Sequence, residues 1–180
     1  MHWKTDGISK KIYLELTSPT EEDSRSSQIR ILDGLKEKGI KAQMTTKVMR
    51  KLYPLCEKSS WRVTVSLAWK ETGWMAVDLE AGDTSREHYG LAVDLGSTTV
   101  VARMIDCNTG KILGESGSYN SQIAYGTDIL TRIFYCKDDP QKLEELRRAT
   151  VDSIRDNLRE LEEQTGISCQ RCIQMVVAGN

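Results

Sequence analysis

The chain reads as an α/β (α+β) protein of two units, each made of a sheet with helices. Three observations predict this. Trp61 to Trp69 alternates with period two, Trp61, Val63, Val65, Leu67 and Trp69 sharing one face, and a hairpin turn at Lys70-Glu71-Thr72-Gly73 returns it through Trp74 to Leu79. The polar stretch Glu80 to His88 then interrupts, and strand alternation restarts at Leu91, Val93 and Leu95. Leu143, Leu146, Thr150, Ile154, Leu158 and Leu161 recur at helical spacing behind Asp139-Pro140, a cap residue followed by proline at the first helical position.

In the first unit, Ile8 to Glu15 alternates weakly and predicts a strand that Ser18-Pro19 breaks. Glu21-Glu22-Asp23 leads into a helix with the apolar face Ile29, Leu32 and Leu35, ended by Gly39. Thr45 or Thr46 caps a second helix through Val48, Met49 and Leu52, and Pro54 ends or bends it. The hairpin holds three of the four tryptophans, and without a basic surround the aromatic stripe reads as core packing, not a base-stacking platform. His88 reads as a surface or linker histidine, and His2 falls in a frayed end.

In the second unit, Tyr89 to Gly117 reads as three strands. Gly96-Ser97-Thr98 turns the chain after the first, Val100 to Ile105 runs out again, Asn108-Thr109-Gly110 turns, and Lys111 to Ser116 returns. Asn120 to Cys136 begins as a loop and becomes helical around Asp128. Gly166 stops the long helix, and one more apolar strand follows. The charges of the long helix, in LEELRR and RDNLREL, form its solvated face.

The chain has 180 residues, with 25 Lys and Arg against 26 Asp and Glu. That balance offers no basic field for nucleic acid or an anionic membrane. No apolar run approaches the ~20 residues of a membrane span, and the start lacks a signal-peptide core, so a cytoplasmic location is expected. The five cysteines, Cys56, Cys107, Cys136, Cys169 and Cys172, fit reduced thiols better than a disulfide framework. Cys169-Gln-Arg-Cys172 is a lone CxxC with no second pair to complete a zinc site, and reads as two ordinary thiols, one buried and one exposed.

The loop after the first strand of the second unit carries the chemistry. Gly96 allows the backbone to approach phosphate oxygens, and the N–H groups and hydroxyls of Ser97, Thr98 and Thr99 can donate to them. Asp94 can order the water shell of Mg²⁺, which keeps several waters and takes few carboxylates. The GxxxxGK[ST] loop is absent, and this loop leads into a strand instead of a helix. A strand–loop–strand grip of this kind resembles the first phosphate motif of the acetate-and-sugar-kinase, heat-shock-cognate and actin superfamily.

Read together, YGLAVDLGSTTVVARMIDCNTGKIL, SYNSQIAYGTDILTRI and the terminal MVVAGN are similar to the reductive activators of corrinoid proteins. Asn120, Gln122, Tyr125-Gly126, Asp128-Ile129 and Arg132-Ile133 narrow the likeness, and KIYLELTSPTEEDSRSSQIRIL extends it upstream. The resemblance implies a linker end over residues 1–9, a middle α+β domain over 10–87, and over 88–180 the truncated first part of an actin-like ATPase domain with an incomplete ribonuclease-H-like sheet. It implies nucleotide binding by Asp94, Gly96, Ser97, Thr98 and Thr99, with Asp94 on the metal. It further implies ATP and Mg²⁺ as cofactors, a corrinoid protein as partner, and ATP-driven return of inactive Co(II) corrinoid to Co(I). A [2Fe–2S] cluster is expected only in an amino-terminal ferredoxin domain outside this chain, since the cysteines here do not follow its ligand pattern. As a fragment the chain is expected to be inactive alone. Alternative readings are a piece of a sugar- or acetate-kinase-like phosphotransferase and a non-catalytic interaction module.

Overall fold

A computed structural model describes residues 7–71 and 73–179, so His2, Thr72 and Asn180 lie outside the described residues. Two compact units meet in sequence between His88 and Tyr89.

In the first unit β1 (Ser9–Glu15) pairs antiparallel with β3 (Arg62–Lys70), and β3 pairs antiparallel with β4 (Gly73–Ala81). The short β2 (Ala42–Met44) lies parallel to β4, giving the order β1-β3-β4-β2. Helices α1 (Ser27–Glu37) and α2 (Thr46–Lys58) supply Ile31, Leu35, Val48, Leu52 and Cys56 to a core with Leu14, Trp61, Val63, Val65 and Leu67.

Several local expectations shift. Helix α1 starts at Ser27 because the Ser26 hydroxyl accepts from the Ile29 amide at 3.3 Å. The acidic stretch before it is a turn, in which Asp23 takes hydrogen bonds from Arg25 and from the buried Arg30 (Nη1 to Oδ2, 2.8 Å). Arg30, Ile31 and Leu35 face inward, and Ile29 is exposed. Thr45 caps α2, which runs through Pro54 to Lys58. Three residues are too short to leave a period in the sequence, and β2 was not foreseen. Trp69 lies near the hairpin tip, half exposed, its ring edge-on to Trp74 at 5.2 Å.

The polar stretch after β4 folds back on the sheet. Thr64 Oγ1 donates to the Gly82 carbonyl at 2.7 Å and accepts from the Thr84 amide at 2.9 Å. His88 is buried, its Nε2 sitting 2.6 Å from Ser9 Oγ, so it is an interior histidine of this unit and not a surface or linker one. An imidazole that finds a hydroxyl partner can be buried without stranding a polar atom.

The second unit is a meander. β5 (Tyr89–Leu95), β6 (Thr99–Asp106) and β7 (Lys111–Tyr119) pair antiparallel in succession. β8 (Cys172–Gly179) adds parallel to β5, so the order is β7-β6-β5-β8 in a mixed α/β unit. Between β7 and β8 come a 3-10 turn over Ser121–Tyr125, α3 (Ile129–Cys136) and α4 (Pro140–Thr165). Asp128 caps α3, Asp139 caps α4, and Gly166 ends α4 with φ of 68°.

Helix α4 packs against the meander with Leu146, Ala149, Ser153, Asn157 and Leu161 buried, while Leu143 is exposed. The buried stripe is part polar because the strand beneath it offers serines. Asn157 Oδ1 accepts from Ser116 Oγ at 2.7 Å, and its Nδ2 donates to Ser118 Oγ at 2.8 Å. Gly114 lets the helix end approach, since a Cβ there would stand 2.7 Å from Thr165 Cγ2.

Candidate phosphate-binding loop

Leu91, Val93 and Leu95 point to the α4 side of the sheet, so the alternate residue Asp94 projects on the other side. There its exposed carboxylate borders a shallow groove with Ala92, Val101 and Arg103. Gly96, Ser97 and Thr98 make the tight connection from β5 to β6. Gly96 N donates to Thr99 O at 2.9 Å, and a Cβ on Gly96 would lie 2.8 Å from that same oxygen. Only glycine fits this closure without displacing backbone. Ser97, Thr98 and Thr99 are exposed.

Asn120 holds the loop from below. Its amide donates to Thr98 O at 2.8 Å, its Nδ2 donates to Gly96 O at 3.0 Å, and its Oδ1 accepts from Gln122 N at 3.0 Å. Gln122 continues the scaffold, its Nε2 donating to Leu146 O at 3.0 Å and to Thr150 Oγ1 at 2.7 Å. Arg132 closes it, giving Nη1 to Gln122 Oε1 at 3.2 Å and Nε to Gly126 O at 2.8 Å. The side chain of Asn120 is thus buried polar scaffold for the exposed donors above it.

The structure therefore brings Gly96, Ser97, Thr98 and Thr99 together as one turn, and sets Asp94 at its mouth on the sheet face away from α4. Asn120, Gln122 and Arg132 entered the sequence reading only through the family likeness; as isolated residue types in a segment without period, they carry no signal of their own. Donors and one carboxylate around a glycine turn can hold phosphate oxygens and a hydrated Mg²⁺.

Of the cysteines, Cys136 lines a cavity together with Gly96 and Ser97 of this turn. All five are free, and no group of three or more His, Cys, Asp or Glu among the described residues could hold a metal ion. Cys169 and Cys172 are each partly buried, which corrects the expected split into one buried and one exposed thiol. Cys169 belongs to a 3-10 turn and Cys172 opens β8, so neither stands at the start of an α-helix that could lower its pKa. Burial pushes the Cys172 thiol up to about 12 and raises that of Cys169.

Among proteins of known sequence and structure, residues 89–180 match a family model described as the RACo middle region, and residues 2–86 one described as the RACo linker region. The corrinoid activation enzyme RamQ of Eubacterium limosum is 28% identical over 102 residues, which make up 57% of this chain and 17% of that protein. The solved structure of a reductive activator for corrinoid, iron-sulfur protein matches with a TM-score of 0.87 at 31% identity, over 97% of this chain and 28% of that one. The chain thus spans less than a third of the length of either relative. With its second unit matched throughout by one model of the family and most of its first by another, the chain belongs to the RACo family of corrinoid reductive activators.

Proposed function

We propose that these residues form the linker and the phosphate-gripping part of an activator that uses Mg·ATP to return Co(II) corrinoid proteins to Co(I). The observation that carries this reading is the Gly96 turn, closed on Thr99 so tightly that a side chain is excluded, with Asp94 and three hydroxyl residues exposed around it in a chain of this family.

The residues present fit Mg·ATP. Gly96 gives phosphate oxygens access to backbone N–H groups, Ser97, Thr98 and Thr99 add hydroxyl donors, and Asp94 is the single carboxylate that a largely hydrated Mg²⁺ accepts. Bound nucleotide supplies the free energy that biases a complex with the corrinoid protein toward a state in which an uphill reduction becomes feasible, and it does so only through its differential affinity for the two states. The part of this chain is to orient the phosphates: Asn120 keeps the loop closed and Asp94 positions metal-bound water.

Asp94→Ala in the full-length activator tests the reading. Its side chain is exposed, so the fold stays and ATP-dependent corrinoid reduction is lost. Normal ATP turnover with unchanged Mg²⁺ dependence in that variant overturns the assignment.

A further inference from the structure

Cys169 and Cys172 stand at the two ends of one hydrogen-bonded turn. The 3-10 turn over Cys169–Arg171 is closed by the Cys172 amide, which donates to the Cys169 carbonyl. Glu162, near the end of α4, anchors it, its Oε1 accepting from the Cys169 amide at 2.6 Å and from Ser168 Oγ at 3.0 Å. The ends of such a turn lie under about 7 Å apart at Cα, within the span that a disulfide bridges. Side chains at i and i+3 of a 3-10 turn also eclipse, so the two sulfurs project on one side. Their packing agrees, since both residues lie against the core of Leu91, Val93 and Leu161.

Cys107 does not compete for either sulfur. It follows Asp106, which pairs with Tyr89 on one side of β5, while Cys172 pairs with Tyr89 on the other. Two strand spacings, about 9–10 Å, separate such positions, too far for a bridge. No third metal ligand joins the pair among the described residues. Burial disfavours both thiolates, so nothing stabilises the reduced form, and a bridge once closed is hard to reduce. The same burial slows exchange without forbidding it, because both residues keep partial contact with solvent.

We propose that Cys169 and Cys172 are a thiol-oxidation site, where a low-molecular-weight disulfide such as oxidised glutathione closes a reversible bridge across the turn between α4 and β8. With Cys172 pushed up to about 12, Cys169 takes the first step. Its thiolate attacks one sulfur of the small disulfide, forming a mixed disulfide and releasing one small thiolate. Cys172 then loses its proton to solvent, attacks the Cys169 sulfur and expels the second small thiolate. The two cysteines give up two electrons and two protons, and the small disulfide leaves as two thiols. The bridge pins the first residue of β8 where it pairs with Tyr89 at the start of β5. None of this rests on the function proposed above.

The test incubates the folded chain with excess oxidised glutathione at about pH 8, quenches with acid, alkylates in urea and maps the peptides by mass. The expected product is a Cys169–Cys172 bridge, lighter by two hydrogens, with no glutathione retained and full reversal by dithiothreitol. Deuterium exchange at the β8 amides should be several-fold slower in the oxidised chain. In Cys172→Ser, which lacks the resolving thiol, Cys169 should keep one glutathione. Should that variant lose its folded spectrum, mapping and exchange in the parent decide alone. Four results overturn the proposal: a pair that stays reduced, glutathione retained on Cys169 of the parent, a bridge to another cysteine, or β8 exchange no slower after oxidation. A folded Cys172→Ser chain that takes up no glutathione overturns it as well.

Discussion

Asn120 donates its side-chain amide to the carbonyl of Gly96 at 3.0 Å, although 24 residues separate them. Through this bond the end of β7 determines the shape of the turn after β5. The same residue is 3% exposed, and its polar groups are spent inside the protein, on Thr98, Gly96 and Gln122 and, through its backbone carbonyl, on the Ile123 amide at 2.9 Å.

Asn120→Ala is therefore expected to strand the Gly96 carbonyl and the Gln122 amide. A lost buried hydrogen bond that leaves partners unsatisfied costs about 1–3 kcal/mol. Urea denaturation followed by far-UV circular dichroism should show a lower midpoint with an unchanged slope; an unchanged midpoint contradicts the role given to Asn120.

Gly96→Ala places a methyl 2.8 Å from Thr99 O, a backbone atom that cannot rotate away. The turn must open, at a cost of about 1–3 kcal/mol typical of overpacking. In the full-length activator, affinity for Mg·ATP should fall at least tenfold by calorimetry. Parental affinity in a folded Gly96→Ala protein would count against a closed loop as the binding form.

Acid sensitivity of the first unit should centre on Asp23. Hydrogen bonds from Arg25 and Arg30 hold its carboxyl well below the ordinary 3.8. A depressed folded value contributes stability that is present above the unfolded value and is lost as pH falls toward the folded one. Asp23→Asn should thus be less stable at neutral pH, and should lose less stability than the parent between about pH 5 and pH 2. Thermal midpoints measured across that range decide it, and parallel curves refute it.

Thiol reactivity should be low where burial raises the pKa. Cys56 is pushed up to about 11 and Cys172 to about 12, both by burial first. The thiolate is the reactive species, so iodoacetamide at about pH 8 should leave both unmodified in the native chain and modify both in urea. Peptide mass mapping reads the difference, and rapid native labelling of Cys172 contradicts its placement at the start of β8.

How far the sequence was legible depended on the type of signal. Period-two runs such as Val63, Val65 and Leu67 marked a strand whose inward face is fully buried. Local stereochemistry marked the ends, as with Asp139-Pro140 at the start of α4 and Gly166 beyond its last turn. Inference weakened where burial is decided by a distant partner. Ser153 and Asn157 fall outside the apolar spacing read for the long helix, yet they are buried because the serines of β7 and the 3-10 turn lie opposite. His88 was misplaced for the same reason, since Ser9, 79 residues away, accepts it into the interior. At the loop, Asp94 and the residues from Gly96 to Thr99 could be read because their types and spacing carry the chemistry, whereas Arg132 acquires its character only when Gln122 and Gly126 occupy two of its nitrogens.

The parallel pairing of β8 with β5 has a kinetic meaning. The meander can assemble from neighbouring segments, but Tyr89 must wait for Cys172 and Leu95 for Gly179, across the whole of α4. Closing so distant a pair is slow compared with forming a hairpin. During synthesis, then, β5 emerges with one edge open, and the backbone beside Gly96 gains its last flank only when residues near Gly179 have left the ribosome. Until that moment the open edge can pair with another chain. The loop proposed above to grip phosphate is thus among the last parts of the unit to become rigid.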